Sequence, residues 1–348
     1  MRIDLISLVG MSRGPGDRRR ALLAVLVAGA IFLAGCTSTS TSPGDDSVDT
    51  NDSLPVIAAT TSIWADVVSN LACGGTANVI TVIPNGADPH VYEPSLSDRS
   101  QLESAVLIVA NGLGFEAPLL DTISAVEDGG GRVVRIGDFV TSLDFAEVDS
   151  GGLVPGGSGS GGADASDHGI DPHVWFDPIR VVGALDHVAE QMVEAGLDRE
   201  SVTICLADYR DRLIAADIEI ARLIDLIPPE RRLLITNHDA LGYFADRYNL
   251  EVVGTVIPGS STESESNPAH LARLEERIAE AGISSIFAET ASSDDAAAAL
   301  AERLLDVSVI PLYTEALSKP AVGADTYIGM LLTNARLISD ALTNGTAE

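Results

Sequence analysis

Twice along this chain, short runs of β-branched and aliphatic residues alternate with stretches of helical period. In the first block the pattern predicts strands over 56–60, 79–83, 105–110 and 132–136, and helices over 63–71 and 98–104. In the second it predicts strands over 233–236, 251–256, 285–288 and 307–312, and helices over 241–248, 267–281, 294–305 and 325–342. Strands that alternate with helices imply an α/β fold with mostly parallel sheets, here as two lobes flanked by helices. Ligands of such open sheets bind at the loops beyond the carboxyl ends of the strands. Between the blocks lie two long helical patterns, 178–195 and 200–227, the second stopped by Pro228-Pro229. A helix of about 27 residues reaches about 40 Å, enough to join both lobes as a rigid connector with a cleft between them. The expected division is an N-terminal lobe over 55–198, a connector helix over 199–228 and a C-terminal lobe over 229–345. An insertion over 144–168, rich in Gly, Ser and Asp without apolar periodicity, reads as a mobile loop.

The N-terminus carries an address. Arg18-Arg19-Arg20 precede an apolar run over 21–33, and Ala34-Gly35-Cys36 follow. A basic start, about a dozen apolar residues and small residues before a cut form a secretory signal. The run is too short for a comfortable membrane-spanning helix. Leu33-Ala34-Gly35-Cys36 resembles the bacterial lipobox, which makes Cys36 the lipidated residue; an ordinary signal peptide or a short anchor helix is the competing reading. On the lipobox reading residues 1–36 are a lipoprotein signal and 37–54 a flexible tether. Two acyl chains would then hold the protein on the outer face of the cell membrane. The arginine triplet alone leaves the choice between general and twin-arginine export open.

Charge removes one class of partner. The chain has 51 acidic against 21 basic residues, a net charge of -30. Residues 1–35 hold five arginines against two aspartates, so the remainder carries -33. Nucleic-acid binding rests on neutralising phosphates with Lys and Arg, and this balance excludes it. The acidity suits a collector of cations without selecting one. Beyond Cys36 only Cys73 and Cys205 remain. They either pair or serve as small buried hydrophobes, and the sequence leaves this open. Two thiols cannot build a Cys-based metal cluster.

The chemistry lies in the histidines. Asp88-Pro89-His90-Val91-Tyr92 and Asp171-Pro172-His173-Val174-Trp175 place His in the same context twice within one lobe. Pro fixes the backbone just before the imidazole, and the Asp two residues earlier is placed to orient a ring or a turn. His238 follows the predicted strand 233–236, and the strand over 307–312 leads to Tyr313-Thr314-Glu315. Three neutral imidazoles and one carboxylate make a tetrahedral or near-tetrahedral site for zinc or a similar divalent ion. The competing reading is that each histidine is a loop residue satisfied locally, since no closely spaced His or Cys pair is present. His187 and His270 fall within or at the start of helical patterns and read as surface or packing residues.

Taken together, these motifs resemble the zinc- and manganese-binding solute receptors of bacterial ABC importers, the zinc-uptake lipoprotein family, from about Val56 to Ala341. The segments that carry the resemblance run from Ala87 to Ser95, Asp171 to Pro178, Asn237 to Phe244, Ile286 to Glu289 and Ile310 to Tyr313. The resemblance implies that His90 and His173 bind the ion. It puts His238 at the third place, which is His in zinc receptors and often Glu in manganese receptors. The fourth ligand in that family is usually an Asp just after the last strand; the matching residue here is Glu315, with Glu289 as its competitor. Asp88 and Asp171, like Glu289, stand as alternative metal ligands or as residues that support the histidines.

Imidazole-rich sites suit Zn²⁺, while Mn²⁺ takes more oxygen donors, so Zn²⁺ is the expected cargo and Mn²⁺ or iron the alternative. Zinc receptors of the family often carry a His-rich acidic loop before the second Asp-Pro-His. Here that loop has only His168, so an accessory role for Asp164, Asp167 and His168 competes with that of a solvated spacer. The implied partners are a transmembrane permease with its ATPase, and the receptor itself is expected to be a monomer. A secreted zinc hydrolase and a surface adhesin are the readings from other classes. Four protein ligands leave a hydrolase no open position for water, and no motif supports adhesion.

Overall fold

The computed structural model describes residues 54–73, 75–145, 169–258, 262, 268–290, 295–304 and 306–343. The first block forms β1 (Val56–Ala59), α1 (Ser62–Leu71), β2 (Asn78–Thr81), α2 (Leu96–Ser104), β3 (Leu107–Ala110), α3 (Leu120–Asp128) and β4 (Val133–Arg135). All four strands are parallel, in the order β2-β1-β3-β4. β3 is buried along its whole length and β1 in three of its four residues, as expected of strands covered on both faces. Then come α4 (Pro178–Glu194) and α5 (Arg199–Ile224). The second block forms β5 (Leu233–Thr236), α6 (Gly242–Tyr248), β6 (Glu251–Thr255), α7 (Pro268–Ala281), β7 (Ser285–Glu289), α8 (Asp295–Arg303), β8 (Ser308–Leu312) and α9 (Tyr327–Thr343). Its sheet, β6-β5-β7-β8, is again parallel and repeats the strand order of the first.

Local chemistry explains where elements start. α2 begins at Leu96, two residues before its predicted start, because Ser95 and Asp98 close a reciprocal cap. The Ser95 hydroxyl accepts the Asp98 N–H at 3.2 Å and the Asp98 carboxylate accepts the Ser95 N–H at 2.7 Å. α4 begins on Pro178 with Asp177 accepting from the N–H groups of Ile179 and Arg180. α3 was not expected from the sequence. Its N-cap makes no side-chain bond and Ile123 is its one buried residue, so it has little apolar stripe to read.

Three apolar clusters hold the elements together. One lies under α2 and α3 on the outer side of the first sheet, and one under α7 and α8 against the second. The third and largest is shared: it runs from Ile57 and Val109 through Trp64, Trp175, Tyr209 and Tyr327 to Phe287 and Leu312. The two lobes are therefore fused through α1, α4, α5 and α9 rather than joined by a strap. Cys73, just past α1, forms a disulfide with Cys205 of α5, their Cα atoms 5.8 Å apart. Among the described residues no helix is long and apolar enough to cross a membrane.

Candidate metal centre

Each candidate ligand sits beyond the carboxyl end of a strand or on a buried turn. His90 lies past β2 in a turn closed by Asp88, whose Oδ1 accepts the His90 N–H at 2.9 Å. His173 precedes a 3-10 turn, Val174–Phe176. Asp171 Oδ1 meets both its N–H, at 2.9 Å, and its ring Nδ1, at 2.7 Å, which turns Nε2 toward the cleft. Two further residues clamp that segment: Asn111 Nδ2 donates to the Pro172 carbonyl and the Tyr243 hydroxyl to the Asp171 carbonyl. His238 follows β5, and Thr236 Oγ1 donates to its carbonyl at 2.7 Å. Glu315 follows β8. Trp175 Nε1 donates to the carbonyl of Thr314 at 2.7 Å, and the Leu317 N–H donates to Ser62 Oγ. The first lobe thereby holds the segment that carries the carboxylate.

The four side chains converge. One ligand atom from each of His90, His173, His238 and Glu315 lies within 4.8 Å of all the others. His90 Nε2 is 3.1 Å from Glu315 Oε1, His238 Nε2 is 3.5 Å from the same oxygen, and the Nε2 atoms of His238 and His173 are 3.2 Å apart. A tetrahedral zinc ion with bonds of about 2.0–2.1 Å separates its donors by about 3.3 Å along each edge. The three rings form a nearly even triangle, with centroids 5.1–5.6 Å apart. His173 and His238 are fully buried, Glu315 is 1% exposed and His90 8%. His90 Nε2 and both Glu315 oxygens are buried without a hydrogen-bond partner among the described residues. Unpaired polar atoms in a dry site cost stability, and a cation would satisfy all three.

Electrostatics divide the histidines. Burial drives the His173 pKa well below its usual value, and the nearby His238 and His90 add to this, so His173 is a neutral donor. Burial also opposes charge on His238. There the Glu289 carboxylate at Nδ1 prevails, assisted by Glu315 and Asp88, and the pKa rises to about 9. Burial raises Glu315, and the Glu289 charge adds to it against the His90 contact. Burial raises Asp171 well above the carboxylate range and Asp239 to about 6.

The two competing glutamates thus occupy different places. Glu315 stands among the imidazole Nε2 atoms, while Glu289, at the end of β7, stands behind His238 on the far side of its ring. The two aspartates also differ. Asp171 orients a ring, whereas Asp88 holds the backbone of His90 and accepts from Thr262 of the second lobe. His187 is exposed and stacks on Phe139, and His270 meets the Thr255 carbonyl, both away from the cluster. Asp164, Asp167, His168 and Cys36 lie outside the described residues. Trp175, Asn111 and Tyr243 were missed as supporting residues. The one sequence signal was an aromatic after the second Asp-Pro-His; the contacts of Asn111 and Tyr243 span 61 and 72 positions.

Known proteins share this architecture. The zinc-binding protein TroA of Treponema pallidum is 29% identical over 303 residues, covering 84% of this chain and 90% of its own. Its solved structure superposes with a TM-score of 0.72, covering 84% of this chain and all of that one. The manganese-binding lipoprotein MntA of Bacillus subtilis is 28% identical over 332 residues, covering 93% of this chain and 99% of its own. The sequence profile described as "ZnuA: Zinc-uptake complex component A periplasmic" matches residues 57–341. With that match across most of its length, the chain belongs to the zinc-uptake component A family, the metal-binding receptors, not enzymes, of ABC importers.

Proposed function

We propose that this receptor captures Zn²⁺ outside the membrane through His90, His173, His238 and Glu315 and delivers it to an ABC permease. The observation that carries this reading is the buried set of four donors drawn from both lobes, all within 4.8 Å of one another, with three of their separations, 3.1–3.5 Å, close to the edge of a tetrahedral zinc site. Capture is ligand exchange: the ion sheds water as three imidazoles and a carboxylate replace it. Release requires breaking one or more of those bonds at the permease. The leader and the names of the relatives support a receptor held at the outer face of the membrane through lipid on Cys36, and we take it to act as a monomer. In this reading 55–198, 199–228 and 229–345 are the two lobes and their connector.

One observation favours Mn²⁺ as the second reading. Neither Glu315 oxygen accepts a hydrogen bond from the described residues, so bidentate coordination would give a fifth ligand atom and the more oxygen-rich shell that Mn²⁺ prefers. Metal analysis after equilibration with equimolar Zn²⁺ and Mn²⁺ separates the two. Zinc at one ion per chain is expected, lost or weakened in alanine variants of His90, His173, His238 and Glu315. Stoichiometric zinc retained by all four variants would refute the site. Predominant manganese loading would replace zinc as the cargo.

A further inference from the structure

Away from the metal centre, a cavity of about 460 Å³ opens between α1, α5 and α9, with none of the four candidate ligands in its wall. Its walls include Ala215 and Ala216 of α5 and Ile328 and Leu332 of α9. Two polar groups within it have unused capacity. Asp66 of α1 accepts the Tyr327 N–H and an Asn70 Nδ2 hydrogen through Oδ2, at 3.0 and 3.3 Å, while its Oδ1 receives no donor from the described residues. Tyr209 of α5 is fully buried, lines the cavity, and its hydroxyl has no hydrogen-bond partner among the described residues. A buried hydroxyl is rarely left unpaired in a folded protein.

The nearby charges choose what can fill it. Arg212 is engaged: Nε donates to Asp208 and Nη2 to Asn70, and the guanidinium lies 5.0 Å over the Tyr209 ring. Glu219 is likewise occupied, both of its oxygens accepting from Arg222. The Arg212 charge also acts on Asp66, but no donor among the described residues reaches its Oδ1, so Asp66 remains the carboxylate with a spare acceptor. A ligand carboxylate would face it with like charge, and an alcohol brings a single donor. An ammonium brings three donors and the complementary charge, so it can serve Asp66 Oδ1 and the Tyr209 oxygen together.

We propose that this cavity binds a small organic cation, a primary amine with an apolar chain, its ammonium donating to Asp66 and Tyr209 and its chain lying on Ala215, Ala216, Ile328 and Leu332. The volume falls in the range of small-molecule sites, and apolar walls with a few convergent polar atoms are their usual composition.

The test is calorimetric titration of the zinc-loaded full chain with n-hexylamine, n-hexanol and hexanoate near pH 7, together with a crystal structure of the amine soak. Saturable one-to-one amine binding is expected, about tenfold weaker for the alcohol and absent for the acid. Asp66→Asn keeps an acceptor for the Tyr327 N–H and should weaken amine binding about tenfold. Tyr209→Phe should weaken it too, and Ala215→Trp, at an exposed position of α5, should block it. One zinc per chain in each variant shows that it folds. No saturable binding, equal affinity for amine and alcohol, undiminished binding by Asp66→Asn, or water alone between Asp66 and Tyr209 in the soaked crystal would overturn the proposal.

Discussion

At His238 two carboxylates approach one ring from opposite nitrogens, Glu289 at Nδ1 and Glu315 at Nε2. With the metal absent, the ring keeps its second proton up to a pH of about 9, and a metal at Nε2 must displace it. Zinc binding at pH 7 is therefore expected to release about one proton from this ring. Titration in buffers of different ionisation enthalpy measures this, and affinity should tighten as pH rises toward 9. The metal-free protein should behave oppositely. A histidine with a raised pKa stabilises the fold below its unfolded value of 6.5, and that contribution is lost as pH rises through about 9. Thermal unfolding of the metal-free form should show this loss, and Glu289→Gln should flatten it. The same variant should weaken zinc binding about 10–100-fold, as loss of a carboxylate behind a ligating histidine generally does. A pH-independent zinc affinity would contradict the assignment of that proton. His90 and His173 were legible because a repeated Asp-Pro-His is a visible pattern, and His238 because it directly follows a readable strand. The different roles of Glu289 and Glu315 were not, because both follow adjacent strands and only the loop path sets which one faces the cluster.

At the scale of elements, the strands and long helices were legible because buried parallel strands read as unbroken apolar runs, as Leu107–Ala110 does. Marginal elements were not. α3 has a single buried residue, and the start of α2 depends on a reciprocal hydrogen bond rather than on periodicity. Pairing of Cys73 with Cys205 was also illegible, since it depends on how the end of α1 packs against α5 across a separation of 132 residues. That cross-link closes a long loop, and removing such a bond typically costs about 2–5 kcal/mol. The Cys73→Ser, Cys205→Ser double variant is expected to unfold at a temperature several degrees lower. Its zinc stoichiometry should stay unchanged, because Cys73 lies past the end of α1 opposite Ser62, which contacts the Glu315 segment. Calorimetry with metal analysis checks both; an unchanged unfolding temperature would mean that the bond does not restrain the chain.

For the whole molecule, the shared core argues against two lobes swinging apart. Wide opening would separate the apolar cluster that joins both sheets and break buried bonds from Trp175 to Thr314 and from Tyr327 to the Trp175 carbonyl. It would also strain the Tyr243 contact to Asp171 and the ion pair between Arg180 and Asp246. Each buried polar group left unpaired costs about 1–3 kcal/mol, beyond the apolar surface exposed. Local movement of the loops that carry His90 and Glu315 costs much less. Zinc loading is therefore expected to leave the radius of gyration nearly unchanged, with hydrogen-exchange protection gained mainly in the loops after β2 and β8. A large rigid-body closure in solution scattering would sink this. Trp175 supplies the sharper test, because its indole N–H holds the carbonyl next to Glu315 without reaching the ion. Trp175→Phe keeps most of the apolar packing and leaves the Thr314 carbonyl unpaired, which frees the ligand segment to move. Zinc dissociation should quicken by about tenfold or more while the association rate and stoichiometry hold. If dissociation were unchanged in stopped-flow chelator chase, that bond would not gate release, and control of the ion would lie with the four donors alone.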